Sequence, residues 1–563
     1  VNIFHMAAGL PNNPYGLRLS ILKVIRITKP RSKKMNGHFV PFVIFDKVRT
    51  SKICTQLPSI TTWHPIKSLL TIAGLCALSA CGGGGGSGPT NSTAGGPVYS
   101  SVSGTVLDTN SAPLFGVTIT AYHHNDHTTA TATTDVNGAY TIPHFDTVTN
   151  ADYVIYAGKT GYGFYPSNSD PAGVVDRFDF NGLYRTLIRF ISMPAHDVVG
   201  ANFTAYAPGT KTASLPRTGQ TTSYASGDDF ASLKGVTWPG TRFTDNANGT
   251  VTDHLTGLIW LKNAGCYGAE VWSAALTHAN QLANGACGLT DGSTAGQWRM
   301  PNANELESLI DVSQANPSVT SGHPFINISL TSAYWSSTTY TAATSNAMSI
   351  RFTDGRWING IDPNDGSFNN AKTTSNNSLW AVKSGGAGAI QVLATGVYAG
   401  QGGGSFGIGD DASLKNGAPL TSPRFVDNGD GTLSDTVTGL TWLKKADCIN
   451  QSWSSALTTI NGLASGQCGL TDGSTAGQWR MPNRQEMLSL SDRAPTFPQA
   501  DYFNGNGGSV PLPVIFNTFI VSDYYWTSTT DAADTNQAWT LYSCDFGVYN
   551  IPKTDIRYSL AVR

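Results

Sequence analysis

From about Val102 onward the apolar residues of this chain fall in short alternating runs. Val102-Ser103-Gly104-Thr105-Val106-Leu107, Val117-Thr118-Ile119-Thr120-Ala121-Tyr122 and Ala132-Thr133-Thr134 through Tyr140-Thr141-Ile142 set β-branched or aromatic residues against small polar ones, with turn residues between. That period of two, at this spacing, predicts a small β-sandwich over residues 97–210. Asp135-Val136-Asn137-Gly138 supplies one turn, with Gly138 free to take positive φ. Further along, two stretches switch to the helical period. Trp272, Ala275, Leu276, Ala279 and Leu282 recur at i, i+3, i+4, i+7 and i+10, as do Trp453, Ala456, Leu457, Ile460 and Leu463. Each pattern gives one apolar face, enough to pack a helix on a sheet.

The two helices belong to two copies of one unit. Sixteen residues from Cys287 to Asn302 recur unchanged from Cys468 to Asn483, and the match extends to Arg242–Asn246 with Arg424–Asn428 and Thr256–Lys262 with Thr438–Lys444. A period of 181 residues is a domain duplication, since solenoid repeats run at about 20–50. The copies are expected over 214–384 and 395–563. Each opens with a hairpin, which in the second copy turns at Asn428-Gly429-Asp430-Gly431. In each, Pro-Asn before an apolar-periodic run predicts a second helix, capped by Asn302 or Asn483. Aromatic strands close each copy: Ala333–Thr339, Ala347–Phe352 and Leu379–Lys383 in the first, and Tyr524–Thr530, Ala538–Tyr542 and Leu560–Arg563 in the second.

Composition points outside the cell. Charged residues make up 13% of the chain, against about 25% in an average soluble protein, and glycine is abundant. The net charge of −2 hides an asymmetry: residues 1–80 hold eleven Lys or Arg and one acid, Asp46, so the remainder has 24 basic and 36 acidic residues. A mature chain near −12 argues against nucleic-acid binding, which wants a basic face. Lys67 precedes an apolar run from Leu69 to Leu78, too short to span a bilayer, which reads as a secretory signal over 67–80. Leu78-Ser79-Ala80-Cys81 resembles the bacterial lipobox, which makes Cys81 the lipid anchor and implies an outer-membrane lipoprotein with its heads on the cell surface or the periplasmic face. Residues 81–96, rich in Gly and Ser, are then a flexible linker. Residues 1–66 show no sustained period and are expected to be a non-native or disordered extension, with translation starting at or after Met35.

Chemistry is sparse. Cys266 and Cys287 bracket the first helix, and Cys448 and Cys468 the second, so in an exported chain each copy is expected to close a disulfide. Cys544 has no mate within its copy. His123, His124 and His127 invite a metal reading, but a solvated hairpin tip fits better because nothing is placed to complete a shell. Asp427, Asp430 and Asp435 suggest a calcium loop; the first copy has Asn248 in place of Asp430, and no Glu follows at EF-hand spacing, which favours a plain hairpin. No cofactor is expected. Arg299 and Glu305 read as a brace for the buried Trp298 rather than an acid–base pair. No G-x-S-x-G, HExxH or P-loop occurs, and no enzymatic activity is expected.

Two resemblances add to this. The "G-x-V" and "T-D-x-N-G-x-Y" of Gly104-Thr105-Val106 and Thr134–Tyr140 resemble the carboxypeptidase regulatory-like (transthyretin-like) family, which implies a non-catalytic spacer or platform. In each copy the order "RFxDNxxGTxxDxxTGLxWLK … C … WRMPNxxE … YWSST … AVK/R" resembles the Lcl C-terminal domain family. That resemblance implies a C-type-lectin-like α+β fold, so the fold class expected is multidomain, an all-β sandwich followed by two tandem α+β C-type-lectin-like domains. It further implies attachment to sulfated polysaccharides, for which this acidic chain lacks clustered Lys and Arg.

In such folds the late strands and their loops form the binding face, here about 340–375 and 530–556, where the copies diverge most. The exposed candidates are Arg351, Asp354, Arg356 and Trp357, and Asn536, Trp539, Tyr542, Asp545 and Tyr549; aromatic faces stack on sugars and the polar groups bond hydroxyls. The expected function is a surface-anchored, adhesin-like protein that meets the membrane through the Cys81 lipid and an extracellular glycan or protein through two lectin-like heads. A structural envelope protein without a soluble ligand, or an enzyme of the formylglycine-generating-like fold, are the competing readings. Oligomeric state is left open.

Overall fold

The computed structural model describes residues 99–124, 126–146, 152–168, 174–180, 183–190, 192–207, 211–341, 343–358, 370–397, 409–491, 493, 506–507, 510–511, 516–520, 523–543 and 547–563. The extension 1–66, the signal 67–80, the linker 81–96 with Cys81, and Cys544 and Asp545 lie outside the described residues. No helix among the described residues is long and apolar enough to cross a membrane.

The regular structure of the described residues is mostly strand with few helices, with a β-rich N-terminal domain ahead of the duplicated pair. In that first domain one sheet runs Ala139–Asp146, Tyr99–Asp108, Asn202–Tyr206, Gly163–Asn168, and the other Thr129–Thr133, Thr118–His123, Tyr153–Gly158, Leu183–Phe190, Val174–Phe180. Alternate residues meet between the sheets, where Val102, Val106, Ile119, Ile142, Ile155, Ile188 and Phe203 are buried. The turn before Ala139 forms as its residues dictate: Asp135 Oδ1 accepts from the amides of Asn137 and Ala139 at 2.8 and 2.9 Å, and Gly138 has φ 69°. The hairpin tip after Thr118–His123 is only partly solvated. His124 and His127 are exposed, but His123 is buried, stacked on Tyr153 at 4.5 Å.

Among the described residues each copy then builds a small and a larger sheet, with a further two-stranded ribbon Asn506–Gly507 and Val510–Pro511 in the second, and carries three short helices. In the first copy these are α1 (Asp229–Ser232), α2 (Trp272–Gln281) and α3 (Ala303–Ser308); in the second, α4 (Asp411–Leu414), α5 (Trp453–Asn461) and α6 (Arg484–Ser489). The larger sheet of the first copy is ordered Ala269–Glu270, Asn377–Ser378, Tyr334–Thr339, Ala347–Ile350, Trp357–Ile358; that of the second is Ile449–Gln451, Arg557–Ser559, Tyr524–Thr530, Gln537–Tyr542, Val548–Pro552. The predicted helices pack through the predicted faces: Trp272 Nε1 donates to Ser336 O and Trp453 Nε1 to Thr527 O, both at 2.8 Å.

The unchanged sixteen residues are a frame. Trp298 and Trp479 are fully buried and each donates to a serine of its own turn, Ser293 or Ser474, at 3.0 Å. Gly249 and Gly431, at the hairpin turns, take φ 84° and 85° against this frame, where a Cβ would stand 2.4 and 2.3 Å from the carbonyls of Gly288 and Gly469. Both disulfides form, Cys266–Cys287 and Cys448–Cys468. Asn302 and Asn483 each cap a helix through a complete capping box with Glu305 or Glu486. Those glutamates also take Arg299 and Arg480 in two-pronged ion pairs, so the arginine–glutamate contact braces the start of the helix.

The two copies do not stand apart. The opening stretch of each copy crosses to the other: Thr212 and Ala213 donate to Val437 O, Thr530 N donates to Gln220 Oε1, and α1 packs on strand Tyr524–Thr530. Reciprocally, Asn304 Nδ2 donates to Leu393 O, Asn302 Nδ2 to Asn416 O, and α4 packs on strand Tyr334–Thr339. The arms are exchanged, and one hydrophobic core runs through both copies, from Trp260 and Trp380 to Trp442 and Trp539. The sandwich joins this body at the second arm, where Phe164 and Ser422 exchange both backbone hydrogen bonds, at 2.8 and 2.7 Å.

Candidate binding site

The residues singled out as an exposed binding face are, for the larger part, the seam between the copies. Trp357 and Trp539 are each 2% exposed, and Arg351 is buried as well. Expecting them in solvent was an error with a plain cause: a sheet face that a lone domain would leave open becomes interior when a helix and a second copy cover it. Trp357 Nε1 donates to Glu307 Oε2 at 2.7 Å, and the Arg493 guanidinium of the other copy lies 5.2 Å from its ring. Trp539 has the Arg484 guanidinium 4.3 Å from its ring. Arg484, fully buried, grips Glu307 of the other copy with two bonds of 3.0 Å and also donates to Gly355 O.

The remaining first-copy candidates brace the same seam. Asp354 accepts from Arg351 and from the Arg356 amide, and the Arg356 guanidinium reaches Asn550 of the second copy. Asn536 is exposed, but it precedes the far end of strand Gln537–Tyr542, about 20 Å from Tyr542 at the strand rise. The structure therefore does not bring Asn536 to the tyrosines.

It does bring the tyrosines together. Tyr542 and Tyr549 join Tyr524, with ring centroids 4.7 Å (Tyr524–Tyr542), 5.8 Å (Tyr524–Tyr549) and 6.2 Å (Tyr542–Tyr549) apart. All three are partly exposed and project from one face of the large sheet of the second copy. Arg557 lies 5.3 Å from the Tyr524 ring and is flanked by Asp555 at 2.9 Å and Asp523 at 3.6 Å. By register the first copy has Ala333, Arg351 and Ile358 at the tyrosine positions, so the cluster belongs to the second copy alone.

A second concavity lies where the first arm crosses the second copy. This cleft of about 860 Å3 is lined by Lys211, Lys234 and Val236 on the arm side and by Asn461, Gln478 and Arg480 on the other. Arg480 there is committed to Glu486, and Arg563 at its edge to Asp472 at 2.9 Å.

Calcium finds no common point at the hairpin. Asp427 pairs with Lys444, whose hydrogen bond holds that carboxyl below its ordinary range. Asp430 accepts from Thr432, and Asp435 is buried against Arg424 at 2.7 Å. Each carboxylate is used separately, and among the described residues no three His, Cys, Asp or Glu are grouped so as to hold a metal ion.

The layout of two matching sheet-and-helix bodies behind a β-rich domain agrees with two family matches. Residues 249–383 and 431–563 match the Lcl C-terminal domain. The chain carries two Lcl C-terminal domains. Residues 101–169 match the carboxypeptidase regulatory-like domain and lie within the sandwich. No curated protein matches the chain. Both exchanged arms fall outside the two Lcl C-terminal domain matches, so the arm exchange adds to the contacts between the matched residues from the segments before them.

Reading the sequence alone overlooked Asp229, Glu307, Asp411, Arg484 and Tyr524. A signal existed for most of them. Gly227-Asp228-Asp229 and Gly409-Asp410-Asp411 repeat between the copies, while Ala303 answers Arg484 and Glu307 answers Leu488, a swap of charge for apolar on matching helices.

Proposed function

We propose that the tandem is a binding unit of the bacterial cell surface that takes an extracellular glycan through the second Lcl C-terminal domain. The observation that carries this reading is the cluster of Tyr524, Tyr542 and Tyr549, partly exposed and edged by Arg557, Asp523 and Asp555. Aromatic faces present apolar area to the C–H faces of a sugar, and neighbouring charged groups bond its hydroxyls. The α+β make-up of each copy is in keeping with a C-type-lectin-like fold, and the differing late strands then leave one binding head and one partner that supports it. The sandwich and the linker act as a spacer from a membrane held by the Cys81 lipid.

A glycan array on the full chain tests the reading. Binding to at least one carbohydrate class is expected, with a loss of about tenfold or more in Tyr542→Ala/Tyr549→Ala, since a ring contact is worth about 1 kcal/mol. Absence of any glycan binding favours the structural envelope role instead. Mass spectrometry of the mature N-terminus tests the tether, which predicts an acylated Cys81 there.

A further inference from the structure

The exchanged arms carry matched buried carboxyls. Asp229 Oδ2 accepts from Thr218 Oγ1 on its own arm and from Thr529 Oγ1 of the second copy, both at 2.6 Å. Asp411 Oδ2 accepts from Thr395 Oγ1 on its own arm and from Thr338 Oγ1 of the first copy, the latter at 2.8 Å. Asp229 and Asp411 are 4% and 2% exposed, and no Lys, Arg or His pairs with either among the described contacts. We infer that these two carboxyls make the arm exchange a pH-responsive clasp, tight in acid and looser as the medium approaches neutrality.

The surroundings give the clasp its sign. Facing Asp229 are Thr218 on its arm, Thr529 across the seam, and the carboxylates of Glu486 and Asp228; facing Asp411 are Thr395, Thr338, Glu305 and Asp410, with Arg299 beyond, itself committed to Glu305. Lys553 and Lys372 serve the neighbouring Asp228 and Asp410. Burial is the largest influence on each clasp carboxyl, pushing Asp229 up to about 6 and Asp411 up to about 7, against the hydroxyl bonds that pull the other way. Because the docked values exceed those of a solvated Asp, about 3.9, the clasp is fully favoured below that pH, weakens as pH rises from there, and levels off above about 6 at Asp229 and about 7 at Asp411. The arm that Asp229 pins also supplies Lys234 and Val236 to the large cleft, so loosening this clasp reshapes that cleft.

Hydrogen exchange of the full chain between pH 5 and pH 8, corrected for intrinsic rates, reads the clasp directly. Linkage with the two values predicts that protection falls about tenfold at α1 and roughly a hundredfold at α4, while the sheets hold steady. Asp411→Asn, neutral at every pH, flattens the response at α4 and leaves that at α1. Thr338→Val removes a hydroxyl that favours the ionised form and shifts the α4 midpoint to higher pH. A flat wild-type profile, an unchanged slope in Asp411→Asn, an unmoved midpoint in Thr338→Val, or a response spread evenly over both sheets overturns the inference.

Discussion

The two copies share sixteen unchanged residues and differ most where they touch each other. At matching positions of α3 and α6 the first copy has Ala303 and Glu307, and the second Arg484 and Leu488. At matching strand positions Met348 answers Trp539, and Trp357 answers Val548. Each copy thus brings one tryptophan to the seam and one half of the Glu307–Arg484 pair. Divergence after duplication is often taken as a sign of new ligands. Here much of it made two like surfaces complementary, so that this copy fits that one rather than itself.

The comparison is broken hardest at the buried pair. Arg484→Ala restores the first copy's residue but strands Glu307 without its cation, a loss expected at about 3–5 kcal/mol in urea denaturation. Adding Glu307→Leu, the second copy's residue, should recover much of it, since an apolar pair needs no desolvated charge; a double variant no more stable than the single one would show that the pair is not what couples these helices. Removing either disulfide tests the converse, that the frames are equivalent. The bonds lost in Cys266→Ser/Cys287→Ser and Cys448→Ser/Cys468→Ser close loops of nearly equal length, their cysteines separated by 21 and 20 residues, and each loss should cost about 3 kcal/mol.

Smaller effects sharpen the same contrast. Trp539→Met, which again copies the partner's residue, should cost about 2 kcal/mol through the cavity left under Arg484, whereas Met348→Trp should be no gain because that site is already full. Least of all, Asn302→Ala and Asn483→Ala should each lose about 1 kcal/mol, and by the same amount, because both boxes have the same partners at the same spacing. A twofold difference between them in denaturation experiments would show that their contacts to Asn416 and Lys234 of the exchanged arms also count.

Part of this was present in the order of residues. The helix faces of Trp272–Leu282 and Trp453–Leu463, the Asn302 and Asn483 caps, the Asn428–Gly431 turn and the two disulfides all rest on neighbours close along the chain, and local physics decides them. The aromatic run Ala538–Tyr542 likewise marked Trp539 as a strand residue, whereas the short strand Trp357–Ile358 carried no such mark.

What the chain alone left open is the partner of each apolar face. Periodicity shows that a side chain must leave water, but burial is non-directional and names no neighbour. Only the tertiary structure decided that Trp357 leaves water beneath Arg493 of the other copy and Trp539 beneath Arg484, which itself grips Glu307 there, and that Asp229 and Asp411, hundreds of residues from Thr529 or on the far side of a domain from Thr338, meet them in the seam. Those contacts depend on where two whole domains come to rest, and that is set by the summed fit of many residues rather than by any short stretch of them.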